Sequence, residues 1–227
     1  MNKKLDHLRE EIDRIDENIL QLIIKRFEIA KKIVLAKGKT SSIYRPDREN
    51  LIIRKLEYLS PKITKNIVFP IWRILMSANI YLQKPKFTIV CSKKSKNSAK
   101  LFANKIFVVN KKSSSKKAFR EFLENNADIL IVNFKELTEI DKFLGEKNKV
   151  FVSGTIPLIR NNNGSINGCI ITKGFPKIGS RSLAIYKNKK NGKIITKNIS
   201  NENETFHDNF KFLGAAEIFE NITLKIK

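Results

Sequence analysis

The sequence is poor in several things, and each shortage narrows what the chain can be. It has two cysteines in 227 residues. Cys91 and Cys169 both fall in apolar, strand-like runs and share no metal-binding spacing, so they are expected to be small buried residues. The two histidines, His7 and His207, have no motif around them. No apolar run approaches the roughly 18 residues of a membrane-spanning helix. The opening segment is charged throughout, so no secretory leader is expected and a cytoplasmic location is the expectation. Acidic residues are few: 22 against 45 basic ones, a formal charge of +23. Such a charge would suit nucleic acid, an anionic membrane surface or acidic small molecules. The excess is mostly lysine spread along the chain among Asn and Ile, which a coding preference also produces. Arginine is scarce, and seven of the ten lie within the first 73 residues. The guanidinium fork suits carboxylates in a way lysine does not, so these positions carry more information.

The first 37 residues organise the rest. Leu5, Leu8, Ile12, Ile15, Ile19, Leu22, Ile29 and Ile33 recur at steps of three and four. That is the seam of a long amphipathic helix or coiled coil, predicted over Leu5–Lys37. Two seam positions hold cations, Arg26 and Lys37, about 16 Å apart along the axis. An unpaired buried charge costs several kcal/mol, so the spacing predicts an anionic partner, unless both side chains snorkel to the surface. Arg9 flanks the same seam about 25 Å from Arg26. One small ligand reaches both only if Arg9 comes from an antiparallel copy of the helix in a second chain.

Gly38 is the expected end of this helix. Arg45-Pro46-Asp47-Arg48-Glu49 opens a second, with Pro46 in its first turn and acids at its positive end. Ser60-Pro61 reads as the start of a third, which Pro70 should kink or restart. Asn79 and Gln83 continue the inward stripe of Trp72, Leu75 and Met76, where an unpartnered polar group is costly. Three helices with one far too long for the others make a poor monomeric core, which again points to paired chains. After Lys84-Pro85-Lys86 the texture changes. Apolar runs at Phe87–Cys91, Ile106–Val109, Ile129–Val132 and Val150–Val152 alternate with helix-like segments at Ser98–Asn104, Lys116–Asn125 and Lys135–Leu144. They predict an α/β layer with a largely parallel sheet. Strands at Cys169–Thr172, Leu183–Tyr186 and Lys193–Ile199 then follow through turns and make the sheet mixed. Phe210–Ile226 is expected to be a strand with a helix or second strand. Lys111–Lys117 is expected to be a solvated loop.

The inward polar set of Arg9, Arg26, Lys37, Arg48, Glu49, Asn79 and Gln83 resembles that of the all-helical chorismate mutase family over residues 1–84. The matching stretches are Leu8 to Asp16, Leu22 to Lys37 with Ala30, Arg45 to Glu49, and Trp72 to Gln83. The resemblance implies a three-helix domain, 1–84, forming an intertwined homodimer; with the strand-helix alternation after it, the expected fold class is α + α/β, the second part an α/β domain with a mixed sheet, 87–227. It also implies the Claisen rearrangement of chorismate to prephenate, in aromatic amino acid biosynthesis, without metal, cofactor or covalent intermediate. On that resemblance Arg26 and the second chain's Arg9 hold the substrate carboxylates, and Arg48 orders the site near one of them. Lys37 and Gln83 donate to the ether oxygen whose bond breaks, and Glu49 takes the ring hydroxyl. Asn79 stands where a small polar residue is usual, and Arg45 where some members have an acid. No general acid or base is required.

For residues 87–227 the expectation is looser. The segment after Phe87–Cys91, Ser92-Lys93-Lys94-Ser95, has no glycine, which excludes a dinucleotide-binding turn. Ser180-Arg181-Ser182-Leu183 resembles in part the Thr-Arg-Phe motif of prephenate dehydratases, but the glycine-rich opening motif of that family is missing. A degenerate dehydratase-like or other α/β domain that binds a ligand or supports the dimer is expected. Three other readings stay open: an isochorismate pyruvate lyase on the same scaffold, a basic nucleic-acid-binding dimer (the less expected), and a mutase-derived regulatory protein that binds without turnover.

Overall fold

The computed structural model describes residues 3–36, 43–59, 65–124, 126–156, 159–160, 166–205, 207–217 and 219–220. The chain opens with three helices. α1 (Lys3–Ala36) is unbroken over 34 residues, as its seam predicted. Lys37, the Gly38 terminus and the Ser60-Pro61 start all lie outside the described residues. α2 (Pro46–Leu59) begins at its proline with Asp47 and Glu49 in the first turn. α3 (Lys65–Gln83) runs straight through Pro70 and does not restart there. Pro70 is exposed and close to the start of the helix, so only one bond, to the carbonyl four residues earlier, is forfeited.

The remainder alternates β1 (Thr88–Ser92), α4 (Lys96–Ala103), β2 (Val108–Lys112), α5 (Ser115–Leu123), β3 (Ile129–Asn133) and α6 (Leu137–Ile140), which has a 3-10 turn on either side. Next come β4 (Val150–Ile156), β5 (Ile159–Arg160), β6 (Gly168–Lys173), β7 (Ser182–Asn188), β8 (Ile194–Ile199), β9 (Phe210–Glu217) and β10 (Phe219–Glu220). Lys111–Lys117 is not a loop. Its first two residues finish β2, and Ser114 caps α5 by accepting from the Lys117 amide at 3.3 Å. The serines that made the run look like linker supply the helix start.

Eight strands form one sheet in the order β2-β1-β3-β6-β4-β9-β7-β8, with β5 and β10 as a separate parallel pair. The sheet is mixed, and less parallel than the strand-helix alternation implied. Only β2-β1-β3 and β4-β9 are parallel; β6, β7 and β8 pair antiparallel with their neighbours. The reason is connection length. A parallel crossover needs about a dozen residues or more, whereas β7 and β8 are joined by a tight turn at Lys189–Gly192.

β1 and β3 are buried on both faces, which is why they read as unbroken apolar runs. Val90, Leu130 and Val132 pack with Phe119 and Phe122 of α5. Ile89, Cys91 and Ile131 pack on the other face with Phe102 of α4 and with Tyr44 and Ile80 from the helical part. Cys91 and Cys169 are free and buried, and burial pushes both thiols up. Where β1 and β3 end, Ser92 and Ser95 donate to the buried Glu136 carboxylate at 2.7 and 2.5 Å, tying two strand-to-helix turns together.

The helices are joined to the sheet by apolar contact and by ion pairs. Ile53 of α2 and Val68, Phe69 and Met76 of α3 enclose Phe219 of β10. Arg54 pairs with Glu217, Arg181 with Glu57 at 2.7 Å, Lys177 with Asp47 at 3.3 Å, and Lys84 with Asp128 at 2.6 Å. Arg181 of the Ser-Arg-Ser segment is thus engaged with α2, and the Ser182 hydroxyl accepts from the Gly179 amide at 2.8 Å.

Gly214 is the backbone position the sheet tolerates least. Its φ is +143°, and a Cβ there would sit 2.2 Å from the Val152 carbonyl oxygen, where β9 pairs with β4. Gly214→Ala should therefore separate the two halves of the sheet and cost about 3 kcal/mol or more, seen as a lower urea midpoint.

Candidate active site

α1 packs on α3, and α2 packs on α3. The α1–α3 contact is made near the end of α1, where Ala30 is the helix's single buried residue and is small enough to let the backbones approach. Four residues before it, Arg26 is half-buried and donates from Nη1 to the Leu75 carbonyl of α3 at 3.1 Å. Burial lowers its pKa, and the Arg48 guanidinium lowers it further. Arg48, exposed in the first turn of α2, is thus within electrostatic range of Arg26. Among the described residues no carboxylate lies within ion-pairing distance of either.

Leu75, Asn79 and Gln83 are spaced by four and share one face of α3. Gln83 Nε2 donates to the Asn79 main-chain carbonyl at 3.2 Å, leaving its second N–H hydrogen for another acceptor. The Asn79 side-chain oxygen is buried and has no partner among the described residues. The fold thus joins Arg26 to the face of α3 that carries Asn79 and Gln83, at Leu75, with Arg48 in electrostatic range. It does not bring Arg9 to them. Arg9 is exposed, pairs with Asp6 at 3.6 Å and lies about 25 Å back along α1. Lys37 is outside the described residues.

Glu49 is placed differently from Arg48. Successive helical residues point about 100° apart, and Glu49 is buried against the Arg73 guanidinium, with which it forms an ion pair. Burial raises its pKa, and Arg73 opposes part of that shift. Arg73 in turn lies 4.0 Å from the centroid of the Phe102 ring. Sequence reasoning passed over Arg73 and Tyr44, which packs edge-on to Phe102 at 5.6 Å. The signal for Arg73 was present, since it is the one charge in the apolar run from Ile67 to Ala78.

With that geometry in place, comparison with known proteins is direct. The family model for chorismate mutase type II matches residues 8–84. A chorismate mutase of Methanocaldococcus jannaschii is 36% identical over 87 residues, which are 37% of this chain and 88% of that protein. The chain belongs to this family. A bifunctional chorismate mutase/prephenate dehydratase of Aquifex aeolicus is 39% identical over 89 residues, covering 36% of this chain and 24% of that one. The chain therefore spans about a quarter of the length of the bifunctional relative. No solved structure matches significantly.

The start of α2, which carries Arg48 and Glu49, is fixed by Asp47. Its carboxylate takes two hydrogen bonds from Arg45, at 2.9 and 2.7 Å, and pairs with Lys177. The Arg45 hydrogen bond is the main reason its pKa falls from an ordinary 3.8 to about 2. A depressed carboxylate stabilises the fold above its ordinary pKa and loses that contribution as pH falls through the depressed one. Asp47→Asn should thus lower the thermal midpoint at pH 7 by an amount worth under about 1 kcal/mol, given partial exposure. The gap from the unmodified chain should close between about pH 4 and pH 2.

Proposed function

We propose that the chain catalyses the rearrangement of chorismate to prephenate in a pocket between α1, α2 and α3. The observation that carries the reading is Arg26, half-buried against α3 with the exposed Arg48 in electrostatic range and, among the described residues, no carboxylate within ion-pairing distance of either. A half-buried guanidinium beside a second cation is relieved by an anionic partner. Family membership supplies the substrate: chorismate carries two carboxylates. Its rearrangement separates charge, with negative character growing on the ether oxygen. Fixed donors stabilise that oxygen more in the transition state than in the ground state. Gln83 has a free amide hydrogen for this, and Lys37 is proposed as the second donor. Arg26 and Arg48 hold the carboxylates, Asn79 is a further polar contact, and Glu49 takes the ring hydroxyl once released from Arg73. Holding the side chain over the ring contributes orientation.

The working unit is proposed to be a homodimer. All eight seam residues of α1 named above are between 43% and 66% exposed. A contiguous apolar stripe of this length marks an interaction surface. An antiparallel second α1 would cover it and carry its own Arg9 to the distant Arg26.

The full chain should consume chorismate, followed by ultraviolet absorbance, and the product should be prephenate. Arg26→Ala should lower kcat/KM by about 10²-fold or more, since it removes a charged contact to the substrate. Pyruvate as the product would instead assign lyase chemistry. Because the ether-side donor Gln83 does not titrate, kcat should be nearly flat from mildly acidic to neutral pH. A steep acid optimum would show that a carboxylic acid does that work. Light scattering should give twice the chain mass, and Ile12→Asp should halve it and abolish turnover.

A further inference from the structure

Glu49 and Arg73 also face a second place. Between α2, α3, α4 and the strands β4, β6 and β9 lies a cavity of about 260 Å³. That is just below the roughly 300–1,000 Å³ of drug-sized sites, so it suits a smaller molecule. Phe69, Phe102 and Ile170 supply apolar wall, and the charged residues are Glu49, Arg73 and Glu217. Their charges do not all find equal use. Glu217 is held by Arg54. Glu49 occupies Nη1 of Arg73. The other edge of that guanidinium, Nε and Nη2, is buried and has no partner among the described residues.

That edge has a definite chemistry. Nε–H and one Nη2–H point the same way and match the two oxygens of a carboxylate. The Phe102 ring against the guanidinium face fixes its plane. A buried donor without an acceptor is costly, more so when charged, and a bound acceptor would recover that cost. The aromatic walls favour a ring in van der Waals contact. We propose that this cavity binds a small monocarboxylate with a compact apolar body, its carboxylate on the Nε–Nη2 edge of Arg73 and its body among Phe69, Phe102 and Ile170.

The ligand and Glu49 then share one cation. A second anion on Arg73 weakens its hold on Glu49, which adjoins Arg48, so occupancy alters the pocket between α1, α2 and α3. That consequence rests on the mutase reading; the binding itself does not.

The test is titration calorimetry on the full chain with phenylacetate, and with phenylacetamide as the uncharged molecule of the same shape. Phenylacetate should bind with a Kd at or below about 1 mM, and the amide at least about tenfold more weakly. Arg73→Lys keeps a cation against Glu49 and removes the fork, and should weaken phenylacetate about tenfold. Leu101 lines the cavity and is 61% exposed, so Leu101→Glu leaves the fold intact. Its charge should weaken the acid severalfold and the amide not at all. Equal binding of acid and amide, wild-type binding by Arg73→Lys, or no heat at about 10 mM acid would each overturn the proposal. None of these readouts uses chorismate. A chain that binds phenylacetate without consuming chorismate would refute the mutase reading alone, and the reverse result would refute the cavity site alone.

Discussion

The placement of α2 depends on the buried pairing of Glu49 with Arg73. Neither partner is comfortable alone: burial disfavours the carboxylate, and two nitrogens of the guanidinium lack acceptors among the described residues. Deleting one member of such a pair costs about 3–5 kcal/mol, far more than a surface ion pair contributes. This pair ties α2 to α3; α2 is tied to the strands by Arg54 with the buried Glu217 and by Ile53, which is fully buried against Phe219. Arg48 stands one residue from Glu49. Its position relative to Arg26 is therefore set by a contact about 100° around the helix.

Much of the helical part could be read from the chain. A seam at steps of three and four fixes α1, and Pro46 followed by acids fixes the start of α2. Arg26 on the seam was legible because a cation where the pattern demands an apolar residue is a local signal. Arg73 was not used, although it too interrupts an apolar run, because its meaning depends on Glu49 and Phe102, which lie 24 and 29 positions away. The cavity was out of reach for the same reason: its walls come from α2, α3, α4 and strands of the sheet. In the α/β part, strands and helices were found within a few residues, while strand order was not. Apolar runs mark burial on both faces but do not say which neighbour is parallel, and Lys111–Lys117 hid a helix cap inside a basic run.

Stability is distributed unevenly along α1. Its contacts gather near Ala30, and the two turns that hold Leu5 and Leu8 touch little else in the same chain. An isolated helix of this kind relies on local hydrogen bonds and on weak pairs such as Asp6 with Arg9 and His7 with Glu11. In a single chain, local opening should therefore be easiest at the start of α1 and hardest in β1 and β3, whose residues are sealed on both faces; pairing with a second α1 would remove that weakness.

β9 is the last long strand among the described residues, yet it lies inside the sheet between β4 and β7. A chain emerging from the ribosome presents β4 and β7 well before the strand that must fill the gap between them. Until Phe210–Glu217 arrives, both carry unpaired edges, and the Glu217 carboxylate that meets Arg54 is missing from the joint with α2. Native pairing of β4 and β7 therefore waits on β9, and the nascent chain passes through an interval in which open strand edges invite misassociation.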